Sequence, residues 1–186
     1  MKKTLLLLSL FVGIGAGCSK ECSEPPRETA SHIDTRLDFC VQDQSGNNLL
    51  LISDAQSDFG WYGYGEIDRL HYRNGKYRVY DKPSLQARKG YLLEQNADGK
   101  HLSLFLELPY VGQTTSRTYL RFGGSELYEF RTVYEILRTD ANPELLGGDA
   151  VIKQKVWVND ELFWDSAWDN AGELPVLVIP QPLYTH

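Results

Sequence analysis

From residue 36 onward hydrophobic residues recur at every second position, and turns bearing glycine interrupt the pattern about every ten residues. Leu37, Phe39 and Val41 alternate with Asp38, Cys40 and Gln42, and Gln44-Ser45-Gly46-Asn47-Asn48 then turns the chain into Leu49-Leu50-Leu51-Ile52. A period of two puts alternate side chains on opposite faces of a strand, so these segments predict two strands and a turn. The sharpest hairpin signal is Asn74-Gly75 between residues 67–73 and 76–80, because both turn residues readily take the positive φ of a type I′ turn. A two-residue turn sets the register: Arg73 opposite Lys76, Tyr72 opposite Tyr77, His71 opposite Arg78, Leu70 opposite Val79. Leu70, Tyr72, Tyr77 and Val79 then share one face, expected to turn inward, and Arg69, His71, Arg73, Lys76 and Arg78 share the outward one.

Residues 91–95 and 101–108 form a second hairpin around Asn96-Ala97-Asp98-Gly99, with Leu102, Leu104, Leu106 and Leu108 inward. After residues 118–122 and the turn Gly123-Gly124-Ser125, two periods compete over residues 127–138. Leu127, Phe130, Tyr134 and Leu137 would line a helix, whereas Tyr128, Phe130, Thr132, Tyr134 and Ile136 would line a strand. The aromatic and β-branched content favours the strand. Residues 142–148, with Pro143 early and Gly147-Gly148 at the end, allow only a helical turn or loop. Residues 151–158 and 161–164 flank Asn159-Asp160 as another hairpin, and residues 175–180 form a last apolar strand stopped by proline. The prediction is an all-β domain over residues 35–186, an immunoglobulin-like or related antiparallel β-sandwich of about nine or ten strands.

The first residues follow a different pattern. Met1-Lys2-Lys3 precedes an apolar stretch from Leu5 to Ala16 that is shorter than the roughly 20 residues a spanning helix needs, which reads as an export signal over residues 1–17. Gly13-Ile14-Gly15-Ala16-Gly17-Cys18 resembles the lipobox of bacterial lipoproteins, with Gly15 where that pattern prefers leucine. The resemblance implies that Cys18 is acylated, for example with palmitate, and becomes the mature N-terminus, anchoring the protein to a membrane of the cell envelope. Residues 18–34, polar and bearing Pro25-Pro26, read as a lipidated N-terminus and flexible tether. Ser19-Lys20-Glu21 is similar to the surface-export signals of Bacteroidota lipoproteins. The whole pattern resembles small secreted lipoproteins of that group with one β-sandwich domain, which implies an outer-membrane location with the body at the cell surface.

A chain of 186 residues with 42% hydrophobic and 24% charged side chains is neither disordered nor collagenous. Losing Lys2 and Lys3 with the signal reduces 19 basic residues to 17 against 25 acidic, a mature charge of −8. Nucleic acid is not expected as a partner of so acidic a body. Of three cysteines, acylation of Cys18 leaves Cys22 and Cys40, which either bridge or leave Cys40 as a small thiol half-buried in its strand.

Motifs that carry catalytic mechanics, such as a G-x-S-x-G elbow, H-E-x-x-H or a phosphate-binding glycine loop, are absent, so an enzyme is not expected and no cofactor is implied. His32, His71, His101 and His186 lie at no metal-ligand spacing and read as solvent-facing, so no metal is expected. Asp43-Gln44-Ser45-Gly46-Asn47-Asn48 offers calcium-type oxygens, but these are also ordinary turn residues, and the turn is favoured. Asp160, Glu161, Asp165, Asp169 and Glu173 could supply the acid/base pair of a glycoside hydrolase, though a solvated loop accounts for them better.

Two surfaces stand out as candidate binding sites. The basic face of the Asn74-Gly75 hairpin (Arg69, His71, Arg73, Lys76, Arg78) sets like charges opposite one another, and Trp61, Tyr62 and Tyr64 precede it in a loop. Together they suit an acidic glycan, a lipid headgroup or a protein of the envelope. The second surface comes from the Asn159-Asp160 hairpin, which is apolar on both faces, with Val156, Val158 and Phe163 on one and Trp157, Leu162 and Trp164 on the other. Trp157, Trp164 and nearby Trp168 are the alternative carbohydrate-stacking residues, unless the protein's own loop covers them. The expected role is therefore a non-enzymatic binding or assembly module of the cell envelope, with carbohydrate binding as the alternative and hydrolysis a distant third.

Overall fold

A computed structural model of the protein describes residues 26–51, 61–62, 65–82, 87–96, 99–122, 127–138, 149–168 and 173–180. The described residues form thirteen strands: β1 (His32–Asp34), β2 (Arg36–Gln42), β3 (Leu50–Leu51), β4 (Trp61–Tyr62), β5 (Gly65–Arg73), β6 (Lys76–Val79), β7 (Tyr91–Asn96), β8 (Gly99–Phe105), β9 (Thr115–Phe122), β10 (Leu127–Leu137), β11 (Ala150–Val158), β12 (Glu161–Asp165) and β13 (Val176–Val178). The excess over the predicted number comes from short pieces such as β1 and β4, too brief to show an alternation. Among the described residues there is no helix, and the ambiguous stretch is the eleven-residue strand β10, with Tyr128, Phe130, Thr132 and Tyr134 buried on one face. The turn proposed at residues 142–148 lies outside the described residues.

The strands form an all-β, sandwich-like pair of sheets. The larger has nine strands in the order β1-β11-β10-β9-β5-β4-β3, with β12 paired to β11 and β6 to β5; the smaller has the order β13-β2-β8-β7. Neighbours are antiparallel except at one edge of each sheet, where β1 runs parallel to β11 and β13 parallel to β2. Between the sheets lie Leu37, Phe39 and Val41 of β2, Leu102 and Leu104 of β8, Leu120 and Phe122 of β9, Phe130 of β10 and Val156 of β11. These are the inward halves of period-two patterns. Phe39, Phe130 and Phe163 pack ring against ring across the interface, with centroids 5.6–6.2 Å apart.

The chain joins the body earlier than its polarity suggests. Arg27 bridges Tyr110, Glu28 N donates to Pro109 O at 2.9 Å, and Val111 N donates to Pro26 O at 3.0 Å. Glu28 is 2% exposed, held by Arg138 and by Gly112 N at 3.1 Å. Residues 26–34, which read as part of the tether, are thus a docked strap leading into β1. Cys18, Cys22 and the export signal lie outside the described residues; Cys40 is half-buried on β2, opposite Val176.

Candidate functional site: a cationic cleft opening onto the outer face of the large sheet

The β5–β6 hairpin has the predicted register, with Asn74 and Gly75 at φ 51° and 74°. The expected facing holds only in part: Leu70 is buried and Arg73, Lys76 and Arg78 are exposed, but Arg69 is buried and the tip is exposed on both faces. Ile67 pairs with Phe122 and turns into the core, so Arg69, two residues on, also faces the smaller sheet and is only 3% exposed. Its Nη2 donates to Glu107 Oε1 at 2.8 Å and its guanidinium lies 3.8 Å over the Tyr80 ring. Gly90, at φ +76°, makes room for it; a Cβ there would stand 2.3 Å from Arg69 Cδ. Arg69 therefore belongs to the interior, not to a solvent-facing basic surface. Its charge is tolerated because Glu107 answers it.

Tyr72, Tyr77 and Val79, expected inside, look outward at 51%, 48% and 54% exposure. The ladder between β5 and β9 ends at Leu70↔Tyr119, and beyond it the hairpin and the start of β9 separate. A cleft of about 400 Å³ opens there, lined by His71, Tyr72, Tyr119, Arg117, Arg131 and, from the strap, Arg27, with Glu107 and Tyr110 beside them. The Arg27 guanidinium lies 3.7 Å over the Tyr110 ring and donates through Nη1 to Leu108 O at 2.6 Å. The backbone of Glu107 is held on both sides: Thr118 Oγ1 accepts from its N–H at 2.7 Å, while Ser116 and Tyr134 hydroxyls donate to its carbonyl at 2.5 and 3.0 Å. Burial pushes the Tyr134 phenol far above its usual range, so it stays a donor at any working pH. Burial, with the Glu129 carboxylate next, also pushes up the Tyr119 phenol at the cleft wall.

The cleft continues onto the outer face of the large sheet. Arg117 stands opposite Arg131, Arg131 opposite Trp157, and Trp157 opposite Leu162, a row across β9, β10, β11 and β12. Arg117 pairs with Glu129 at 3.2 Å, and the Arg131 guanidinium stacks on Trp157 at 4.1 Å from the ring centroid. At the other end Tyr72 and Tyr77 pack with ring centroids 4.9 Å apart, and Tyr77 meets Tyr119 edge-on at 5.1 Å.

The second predicted surface divides. A bulge in β12 sets Trp164 opposite Val156 while Leu162 stays opposite Trp157, so Phe163 and Trp164 both turn to the core. Trp164 is covered by the Lys153 ammonium at 4.5 Å and is not a free stacking platform. Burial lowers the pKa of that amine, with Asp34 opposing the shift. Trp168, 44% exposed, borders a separate apolar depression with Leu162, Val176 and Val178. Only Trp157 joins the row. The backbone of Trp61 and Tyr62 forms β4, between β3 and β5; their side chains, and all of Tyr64, lie outside the described residues.

Other candidate chemistry is accounted for by neighbours. Asp43 accepts from Ser45 N, Asn47 N and Asn47 Nδ2, each at 2.8 Å, which spends its oxygens on the turn and holds its carboxyl below the usual range. Asp165 accepts from Lys155 Nζ and Ala167 N, and the lysine in particular holds it ionised, unlike a general acid. Asp169 lies outside the described residues. Contrary to the solvent-facing reading, His101 is 5% exposed, and its ligand atoms come within 4.8 Å of those of Asp38 and Glu94. The guanidinium of Arg36 already binds both carboxylates there, at 2.7 Å for Asp38, and fills the cation's place. Burial works to raise the Asp38 carboxyl, but hydrogen bonds from Arg36 and Ser103 outweigh it and leave it lowered.

The residues missed from the sequence are Arg27, Tyr110, Arg117, Tyr119 and Arg131. Arg117 and Arg131 carried a usable signal, since counting back from the three-residue turn Gly123-Gly124-Ser125 sets these like charges opposite each other, the same clue that singled out Arg73 and Lys76. The chain matches no protein-family model, no curated protein and no solved structure.

Proposed function

We propose that the protein is a lipid-anchored cell-envelope module that binds an acidic glycan, without catalysis, along the cleft and the outer face of its large sheet. The observation that carries this reading is the row Arg117, Arg131 and Trp157 across the outer face of the large sheet, which meets Tyr72 at the cleft. Aromatic faces separated by guanidinium groups suit a chain of sugar rings that bears carboxylates, because rings stack on aromatics while arginine forks accept the charge. Arg27, Arg117 and Arg131, with Arg69 behind Glu107, outnumber the carboxylates Glu107 and Glu129 and make the cleft locally positive on a body that is negative overall. The lipid anchor through Cys18 and the envelope location rest on the lipobox-like segment.

The test is a thermal-shift and array screen of the chain without its first seventeen residues against polygalacturonate and other uronic-acid polysaccharides, with neutral polysaccharides as comparison. Binding raises apparent stability by mass action. Acidic polymers are expected to bind and Arg131→Glu to weaken them about 10- to 100-fold, the worth of a charged hydrogen bond. Binding of neutral polymers alone would replace this reading with stacking that needs no charge.

A further inference from the structure

The tip of the β5–β6 hairpin serves neither the core nor the cleft. β6 pairs with β5 alone among the described residues and is exposed along its whole length. One face presents Tyr77 and Val79, with Tyr72 beside them; the opposite face presents Lys76 and Arg78, with Arg73 at the turn. Neither Lys76 nor Arg78 has a carboxylate partner among the described residues. Tyrosines half out of water beside unpaired cations match the boundary of a bilayer, where amphipathic rings settle at headgroup level and cations meet anionic lipid.

Geometry puts that boundary within reach. Arg27, in the strap with which the described residues begin, lines the same cleft as His71 and Tyr72, so the start of the strap lies beside the hairpin. Eight Cα–Cα steps join Cys18 to Pro26 and span at most roughly 29 Å. The mature charge of −8 would repel most of the body from an anionic surface, which leaves this cationic end as the one that can approach. We infer that hairpin β5–β6 seats on the anionic headgroup layer of the membrane that holds Cys18, with Tyr77 and Val79 at the boundary and Lys76 and Arg78 on lipid phosphates. The inference rests on the lipid-anchored reading and adds an orientation to it.

The experiment uses the whole mature chain from residue 18, carrying Cys18→Ser so that no acyl group contributes, sedimented with vesicles of phosphatidylcholine alone or mixed with phosphatidylglycerol. Binding is expected only with phosphatidylglycerol and is expected to fall as salt rises. The Lys76→Glu/Arg78→Glu pair should weaken it at least about 30-fold, near fivefold per cation lost. Tyr77→Ser/Val79→Ser should also weaken it, with both pairs melting close to the parent. Equal binding to both vesicle types, or undiminished binding by Lys76→Glu/Arg78→Glu, overturns the inference. So does a result in which Lys76 and Arg78 govern binding of soluble polygalacturonate while vesicles are ignored. The mass of the chain recovered from its native cells tests acylation of Cys18 separately, so failure of the anchor and failure of the hairpin are distinguishable.

Discussion

Hairpins β5–β6 and β11–β12 are closed by turns of one kind, each with two residues at positive φ, Asn74-Gly75 in the first and Asn159-Asp160 in the second. Their surroundings differ completely. The first keeps a regular ladder to its tip and leaves β6 in solvent; the second is interrupted by a bulge that drives Phe163 and Trp164 into the core together. Turn chemistry sets which residues stand opposite one another, and it does so in both. Which face is buried is decided by the neighbouring strand, and a single extra residue can reverse it.

This contrast gives the largest predicted effect at the root of the first hairpin. Glu107→Ala strands the Arg69 charge in the interior and is expected to cost about 3–5 kcal/mol in urea unfolding, the penalty for orphaning a buried ion. Replacing Arg69 and Glu107 together with leucine and methionine should recover most of that loss. A small effect of Glu107→Ala would show that Arg69 reaches water after all. Next comes the bulged hairpin, where Trp164→Ala should cost about 2 kcal/mol, less than a fully buried tryptophan, and leave glycan binding unchanged. Loss of binding with intact stability would return Trp164 to the surface.

Acid separates the two hairpins further. Asp165, held below its ordinary range by Lys155, contributes stability that is present above the unfolded carboxylate pKa of about 3.9 and lost as pH falls through its lower folded value. The tip of β5–β6, from Tyr72 to Val79, has no carboxylate to titrate. Amide exchange in β12 is therefore expected to quicken below about pH 4 more than in β6, and Asp165→Asn to flatten that acid response. The smallest effect is expected at the exposed tip, where Lys76→Ala and Tyr77→Ala should each shift stability by no more than about 0.5 kcal/mol.

The same contrast explains what could be read from the chain. The register around Asn74-Gly75, the leucine face of β8 and the strand nature of β10 follow from local pattern, and each is found. The facing of β5 was not legible because residues 69–73 carry apolar and basic side chains in strict alternation, and the burial of Arg69 depends on Glu107, thirty-eight residues away. Trp164 was assigned to the wrong face because a bulge leaves no mark on the alternation it breaks. Of the cleft, the hairpin pattern points to His71 and the turn count pairs Arg117 with Arg131, but that they share one site shows only when the ladders of five segments are joined. Arg27 was hidden deepest: proline and charge around it give the composition of a tether, while its partners Leu108 and Tyr110 lie more than eighty residues on.

The central claim is that Tyr72 and Trp157, drawn from the two contrasted hairpins, belong to one binding surface. Calorimetry with oligogalacturonate tests it directly on Tyr72→Ala, Trp157→Ala and the double variant. The account predicts that each substitution alone weakens binding about fivefold, as expected for one lost aromatic contact, and that short oligomers depend on only one of the two. Affinity for a long oligomer that is unchanged by either substitution, with the parent's fold retained, would contradict it.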